Sequence, residues 1–152
     1  MGRLKGIPTV LSAELLHALS SMGHGDEIVL GDANFPSASV AKAAGTRVIH
    51  CDGHDIPTLL TAILQLMPLD KYGDSPVTLM AVTDADVKRG VKTPIWGTYQ
   101  EIINRSEGRE VPMKSLERFS FYERAKNAYA VVNTGETKIY ANIVLKMGII
   151  VD

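Results

Sequence analysis

The 152 residues predict a three-layer α/β/α domain with a mostly parallel central sheet, formed as one domain over residues 1–152. Three observations predict it. Helix-like and strand-like segments alternate along the whole chain, the pattern of a layered α/β domain with helices on both faces of a sheet. The first strand candidate, "EIVL" at 27–30, is continuously apolar rather than alternating, as befits a strand covered on both faces. The length suits one domain, which at this size buries roughly two thirds of the surface its unfolded chain would expose.

The elements follow in order. "LSAELLHALSSMG" reads as a helix, with Ser12 as its cap and Leu15, Leu19 and Met22 on one face. Gly23 is placed to end it in a left-handed turn. "EIVL" is the first strand, "SASVAKAAG" a short helix and "RVIHC" a second strand. "DIPTLLTAILQLMP" is a strong helix: Asp55 caps, Pro57 falls in the tolerant first turn, and Pro68 stops it. Ile56, Leu60, Ile63 and Met67 form its apolar stripe. "VTLMAV" is a third strand, and "TPIWGTYQEIINR" a helix with Thr93 as cap and Pro94 first. "MKSLERF" is a weaker strand candidate. "SFYERAKNAYAVVNTG" reads as helical, with capping-box spacing between Ser120 and Glu123 and a stop at Gly135. "KIYANIVLK" alternates and carries Ile, Val and Tyr, so it reads as the last strand.

Composition narrows the function. The formal net charge is -1, and charged residues make up 22% of the chain, which leaves no electrostatic footprint for nucleic acid or an acidic membrane. No apolar run approaches the ~20 residues of a membrane span, and "MGRLKGIPTVLS" lacks the apolar core of a signal peptide. One cysteine, Cys51, forms no internal disulfide, so a cytoplasmic location is expected. Neither G-x-G-x-x-G after a strand, nor a P-loop, nor a G-x-S-x-G elbow occurs. Cys51 lies in a strand candidate and reads as a buried small thiol rather than a nucleophile.

The polar constellations that remain suggest proton chemistry on a small ligand. His24 stands between two glycines, which lets backbone approach a ligand, and an unperturbed imidazole near ~6.5 both gives and takes protons at neutral pH. A surface turn histidine would read the same. Asp32 and Asn34 follow the first strand, where α/β folds bind ligands beyond the strands' carboxyl ends; a turn cap is the plainer alternative. Tyr140 and Asn142, two apart on the last strand candidate, would share one face. Arg118, Tyr122, Glu123 and Arg124 crowd the start of a helix. His50, Asp52 and His54 have metal-ligand spacing on a strand, but Gly53 bends the chain there, so no metal site is assigned.

Three stretches together, "MGHGDEIVLGDANFP", "ERFSFYERAKNAYAVVNTGE" and "YANIVLKMG", resemble the fucose mutarotases, within the larger family that also holds the D-ribose pyranases. The similarity runs from "LSAELLHAL" to "LKMG" and is weakest over residues 83 to 113. The resemblance implies an α/β fold, no cofactor, a free monosaccharide as substrate, and a homo-oligomer with sites at or near subunit contacts. It also assigns roles. His24 would be the proton donor, and Tyr140, helped by Tyr122, would handle the anomeric hydroxyl. Asp32, Asp70, Met80, Arg118 and Asn142 would contact the sugar, Asp70 from a neighbouring subunit. Two positions depart from the fucose branch: Ala141, where glycine is frequent, and His50, where arginine is. The implied activity is exchange between the anomers of L-fucose. D-ribose pyranase-like ring exchange and sugar binding without turnover are the alternatives. Since a free phenol ionises near ~10, Tyr140 needs a partner for base chemistry, and Arg118 or a proton relay is expected to serve.

Overall fold

The computed structural model describes residues 2–152. Its local structure begins where the capping residues place it. Ser12 accepts the Leu15 N–H at 3.1 Å and starts α1 (Ala13–Ser21). Asp55 accepts the Thr58 N–H at 2.8 Å and starts α3 (Ile56–Leu64), with Pro57 in the first turn. Between them lie β1 (Glu27–Gly31), α2 (Ser37–Ala44) and β2 (Arg47–Cys51). The chain continues through β3 (Val77–Met80), α4 (Asp84–Lys88), α5 (Pro94–Glu107), β4 (Met113–Leu116), α6 (Arg118–Lys126), β5 (Ala130–Thr134) and β6 (Ile143–Lys146).

The strands form one six-stranded sheet in the order β2-β5-β1-β6-β3-β4. All neighbours are parallel except β6, which runs antiparallel between β1 and β3. Side chains alternate between the two faces, as the pleat requires. Ile28, Leu30, Val132, Ile143, Leu145 and Leu79 face one side, where they pack with Leu15 and Leu19 of α1, Leu60 and Ile63 of α3, and Tyr99 and Ile103 of α5. Val29, Val131, Val144 and Met80 face the other, against Val40 of α2 and Phe121 and Ala125 of α6. The expected three layers and mostly parallel sheet are therefore present. Among the described residues no helix is long and apolar enough to cross a membrane.

Five local expectations are corrected. Residues 120–135 are not one helix: α6 ends at Lys126, and Ala130–Thr134 is a central strand paired to both β1 and β2. Its apolar run is buried on both faces, and such a run looks alike in a buried helix and a buried strand. The cap of α6 is Glu117, not Ser120; its carboxylate accepts the Phe119 and Ser120 N–H groups at 2.8 and 3.1 Å. Gly23 does not end α1 in a left-handed turn. Met22 leaves the helix in extended backbone, and the left-handed residue is Gly25, with φ 88°. Asp26 closes this turn by accepting the Gly23 N–H at 2.8 Å. Thr93 holds the cap position of α5 with no side-chain bond to it.

The fifth correction concerns the start of the last strand. β6 begins only at Ile143, and Tyr140 takes a left-handed φ of 55°. The carbonyls of residues 140 and 141 are satisfied by side chains instead of a strand neighbour. Trp96 Nε1 donates to the Tyr140 carbonyl at 2.8 Å, and the Tyr99 hydroxyl donates to the Ala141 carbonyl at 2.6 Å. Burial pushes the Tyr99 phenol up, so it remains a donor.

The loop after β5 depends on close backbone approach. The Gly135 N–H donates to the His54 carbonyl at 2.9 Å, and a Cβ at residue 135 would land on the Asp52 carbonyl oxygen. Gly135→Ala is expected to lose about 1–3 kcal/mol of stability in urea titration through forced backbone displacement. Gly53→Ala, one turn away with open space around its Cβ position, is expected to unfold at nearly the parent midpoint.

Candidate active site

A cleft of about 400 Å³ opens beyond the carboxyl ends of β1, β3 and β4, where the antiparallel β6 enters the sheet. The connections after β1 and β3 leave in different directions here, so a crevice forms between them, the usual ligand position in open α/β sheets.

Its floor is a reciprocal lock between β1 and β6. The Asp32 N–H donates to Asn142 Oδ1 at 2.8 Å, and the Asp32 carboxylate accepts the Ala141 N–H at 3.3 Å and the Asn34 N–H at 3.0 Å. Asp32 and Asn142 are 4% and 5% exposed, so neither group has bulk water as an alternative partner. Burial raises the Asp32 carboxyl above its ordinary range, and the backbone donors only partly offset that. The carboxylate keeps lone pairs free for ligand hydroxyls, since each oxygen accepts only one of these bonds.

The walls carry the phenols. Tyr140 donates its hydroxyl to Asp86 Oδ2, while the Thr83 N–H approaches the same phenol oxygen at 3.4 Å. Across the cleft, Arg118 Nε donates to the Tyr122 hydroxyl oxygen at 2.9 Å. The Tyr122 ring packs edge-on against Phe35 at 5.7 Å. Met80, at the end of β3, supplies an apolar patch.

Six of the eight residues expected in a sugar site therefore meet in one cleft: Asp32, Met80, Arg118, Tyr122, Tyr140 and Asn142. His24 and Asp70 do not. They lie before β1 and after α3, at the opposite end of the sheet from Asp32, and the five residues of β1 alone span about 16 Å at ~3.3 Å per residue. They instead form a dyad of their own. His24 Nε2 lies 3.0 Å from Asp70 Oδ1, with His24 45% and Asp70 5% exposed. Burial pushes the Asp70 carboxyl up, but the hydrogen bonds from His24 and the Tyr72 N–H outweigh it and hold the group below its ordinary range. A carboxylate only accepts, so the proton of this bond sits on Nε2 and Nδ1 is left to exchange protons. The Tyr72 ring, largely exposed, tilts against the imidazole at 5.4 Å.

One expectation about chemistry changes. Arg118 is not the partner of Tyr140: its Nε bond goes to Tyr122, and a guanidinium accepts no proton. The partner is Asp86, which sequence reading missed together with the helix that carries it. The signal was "TDADVKR", where Thr83 accepts the Asp86 N–H at 3.3 Å as a helix cap. His50 and Asp52 pair at 3.5 Å on the exposed surface, and among the described residues no group of three or more His, Cys, Asp or Glu gathers to hold a metal ion.

Comparison with known proteins adds a second line of observation. Residues 5–150 match the RbsD / FucU transport protein family. The chain is 54% identical over 148 residues to a fucose mutarotase of Mus musculus, covering 97% of this chain and 95% of that one. It is 50% identical over 150 residues to a fucose mutarotase of Homo sapiens, covering 99% and 96%. The crystal structure of the fucose mutarotase in complex with L-fucose from Streptococcus pneumoniae superposes with a TM-score of 0.88 at 51% identity, covering 97% of this chain and 100% of that one.

The lock at the cleft floor has a measurable worth. Asn142→Ala strands the buried Asp32 N–H without a partner and is expected to cost about 1–3 kcal/mol of stability in chemical denaturation.

Proposed function

The chain belongs to the RbsD / FucU transport protein family, and from that premise we propose that it is an isomerase interconverting the α and β anomers of free L-fucose by acid–base catalysed ring opening and closure. The observation that carries this reading is one cleft holding two phenols, a guanidinium and a buried carboxylate–amide pair, in a chain 54% identical to a fucose mutarotase over 97% of its length.

The reaction needs two proton transfers and one bond rotation. The anomeric hydroxyl loses a proton while the ring oxygen gains one, the ring opens to an aldehyde, the C1–C2 bond rotates, and closure reverses both transfers. General acid–base groups supply typically 10²–10⁴-fold, a range that suits a reaction already proceeding in water. Tyr140 receives the anomeric proton. Asp32 and Asn142 hold ring hydroxyls, Arg118 orients Tyr122 toward the sugar, and Met80 packs its apolar face.

His24 supplies the ring-oxygen proton, with Asp70 fixing its tautomer. Because this dyad and the cleft occupy opposite ends of one sheet, His24 reaches the sugar from a second copy of the chain. The working form is thus a homo-oligomer of single mutarotase domains with each site shared between subunits. The buried, unpaired Cys51 suits a reducing cytoplasm.

Anomer exchange read by NMR magnetisation transfer tests the reading, with L-fucose and D-ribose run side by side. L-Fucose is expected to exchange faster than in buffer, and His24→Ala to return it to the buffer rate with the fold intact. Asp32→Ala is expected to raise KM. Exchange of D-ribose ring forms in place of L-fucose anomers would reassign the substrate. The shared site makes a separate prediction. His24→Ala and Tyr140→Phe chains, each inactive, are expected to recover about a quarter of parent activity when refolded together at equal ratio, since random pairing restores that share of sites.

A further inference from the structure

The cleft contains a carboxylate that the roles above leave unused. Asp86 sits on the short helix α4, within the cleft lining, and accepts the Tyr140 hydroxyl proton's hydrogen bond through Oδ2. Its other oxygen, Oδ1, pairs with Arg89 Nη1 at 3.2 Å, and its backbone N–H is tied to Thr83 Oγ1 at 3.3 Å. Thr83 also presents its N–H and its hydroxyl to the Tyr140 oxygen, each at 3.4 Å. One side of the phenol thus faces a carboxylate that can only accept, and of the phenol oxygen's two lone pairs one meets the Thr83 N–H while the other is open to the cleft when the rotatable Thr83 hydroxyl turns away.

We propose that Asp86 is the positioning residue through which Tyr140 acts, receiving the phenol's proton as the phenol takes one from the anomeric hydroxyl. The inference rests on the mutarotase reading and deepens it. During ring opening the O1–H bond breaks and its proton passes to Tyr140 Oη, while the Tyr140 O–H bond breaks and its proton passes to Asp86 Oδ2. The freed O1 electrons form the C1=O1 bond, the C1–O5 bond breaks with its pair going to O5, and O5 takes a proton from the His24 imidazolium. Charge balances, since Asp86 goes from anion to neutral acid as His24 goes from cation to neutral base. Ring closure runs each transfer backwards and resets both groups.

The relay answers a difficulty of tyrosine as a base. A free phenol ionises near ~10, so an isolated one is almost wholly protonated at neutral pH. A phenol that passes its own proton on as it receives another never has to become a free phenolate. The remaining contacts suit this. The Tyr140 hydrogen bond, and then Arg89, hold the Asp86 carboxyl below its ordinary range, so it stands ready as the anion. The left-handed backbone at Tyr140, held by Trp96 and by the Tyr99 bond to the next carbonyl, aims the ring at α4 instead of along β6.

A carboxylate that merely ties α4 to residue 140 would have the same contacts, and the amide separates the two roles. Asp86→Asn keeps an acceptor for the phenol hydroxyl and loses the proton acceptor. Its L-fucose anomer exchange is expected to fall about 10²-fold in kcat, within the range of general acid–base groups, with KM nearly unchanged. Added formate is expected to restore a substantial part of the rate to Asp86→Ala and none to Tyr140→Phe, and circular dichroism checks that each variant is folded. Parent-level exchange in a folded Asp86→Asn chain, or an Asp86→Ala chain indifferent to formate, overturns the proposal. A parent chain with no exchange above buffer overturns the mutarotase reading itself, and the two failures are told apart by that control.

Discussion

The paired bonds between Asp32 and residues 141–142 hold the rest of the site in place. They join the carboxyl end of one central strand to the amino end of its antiparallel neighbour, both buried. Because water cannot compete there, each unmade bond leaves a desolvated group. The lock therefore fixes where the chain turns from the cleft into the sheet, and so fixes Tyr140 two residues earlier. The same carboxylate that organises the backbone also lines the cleft. Burial disfavours its charge and raises its proton affinity, against the backbone donors that favour the anion.

Strain and support are distributed around this lock. A tyrosine in left-handed backbone is uncommon outside functional sites, because its Cβ crowds the carbonyl that follows. Here an indole and a phenol from α5 hold the carbonyls of residues 140 and 141, so a helix that lends no side chain to the cleft sets the angle of one that lines it. The His24–Asp70 dyad is organised differently. It sits on an exposed turn, with its carboxylate buried beneath it and an aromatic ring alongside. One end of the sheet presents an open cleft and the other an imidazole with its buried carboxylate.

The legible parts of this molecule were those decided by neighbours in sequence. Ser12 and Asp55 announce their helices because a cap bonds three residues ahead. "RVIHC" was read with its observed bounds because its flanks break helix and strand alike. The misread parts were decided at long range. Ala130–Thr134 is a strand because β1 and β2 flank it, a fact absent from "AVVNT". Tyr140 leaves strand geometry because Trp96 and Tyr99, some forty residues earlier, satisfy its carbonyl and the next. Six site residues could be read together from the resemblance, but no spacing shows that His24 and Asp70 occupy the far end. Asp86 escaped notice since a five-residue helix has too few turns to display a periodicity.

The strand order carries a consequence for how the chain comes to be. Among the described residues β1 pairs only with β5 and β6, β2 only with β5, and the sole pairing among the first four strands is β3 with β4. A nascent chain that has emerged from the ribosome as far as α6 thus has its two leading strands unjoined to anything. Seventeen residues, 130 to 146, then act as a keystone, zipping four waiting strands into one sheet in a late event of high contact order. Until that moment the apolar edges of β1 and β3 stand open to strangers, which makes the interval before residues 130 to 146 emerge the point in this protein's life most exposed to aggregation.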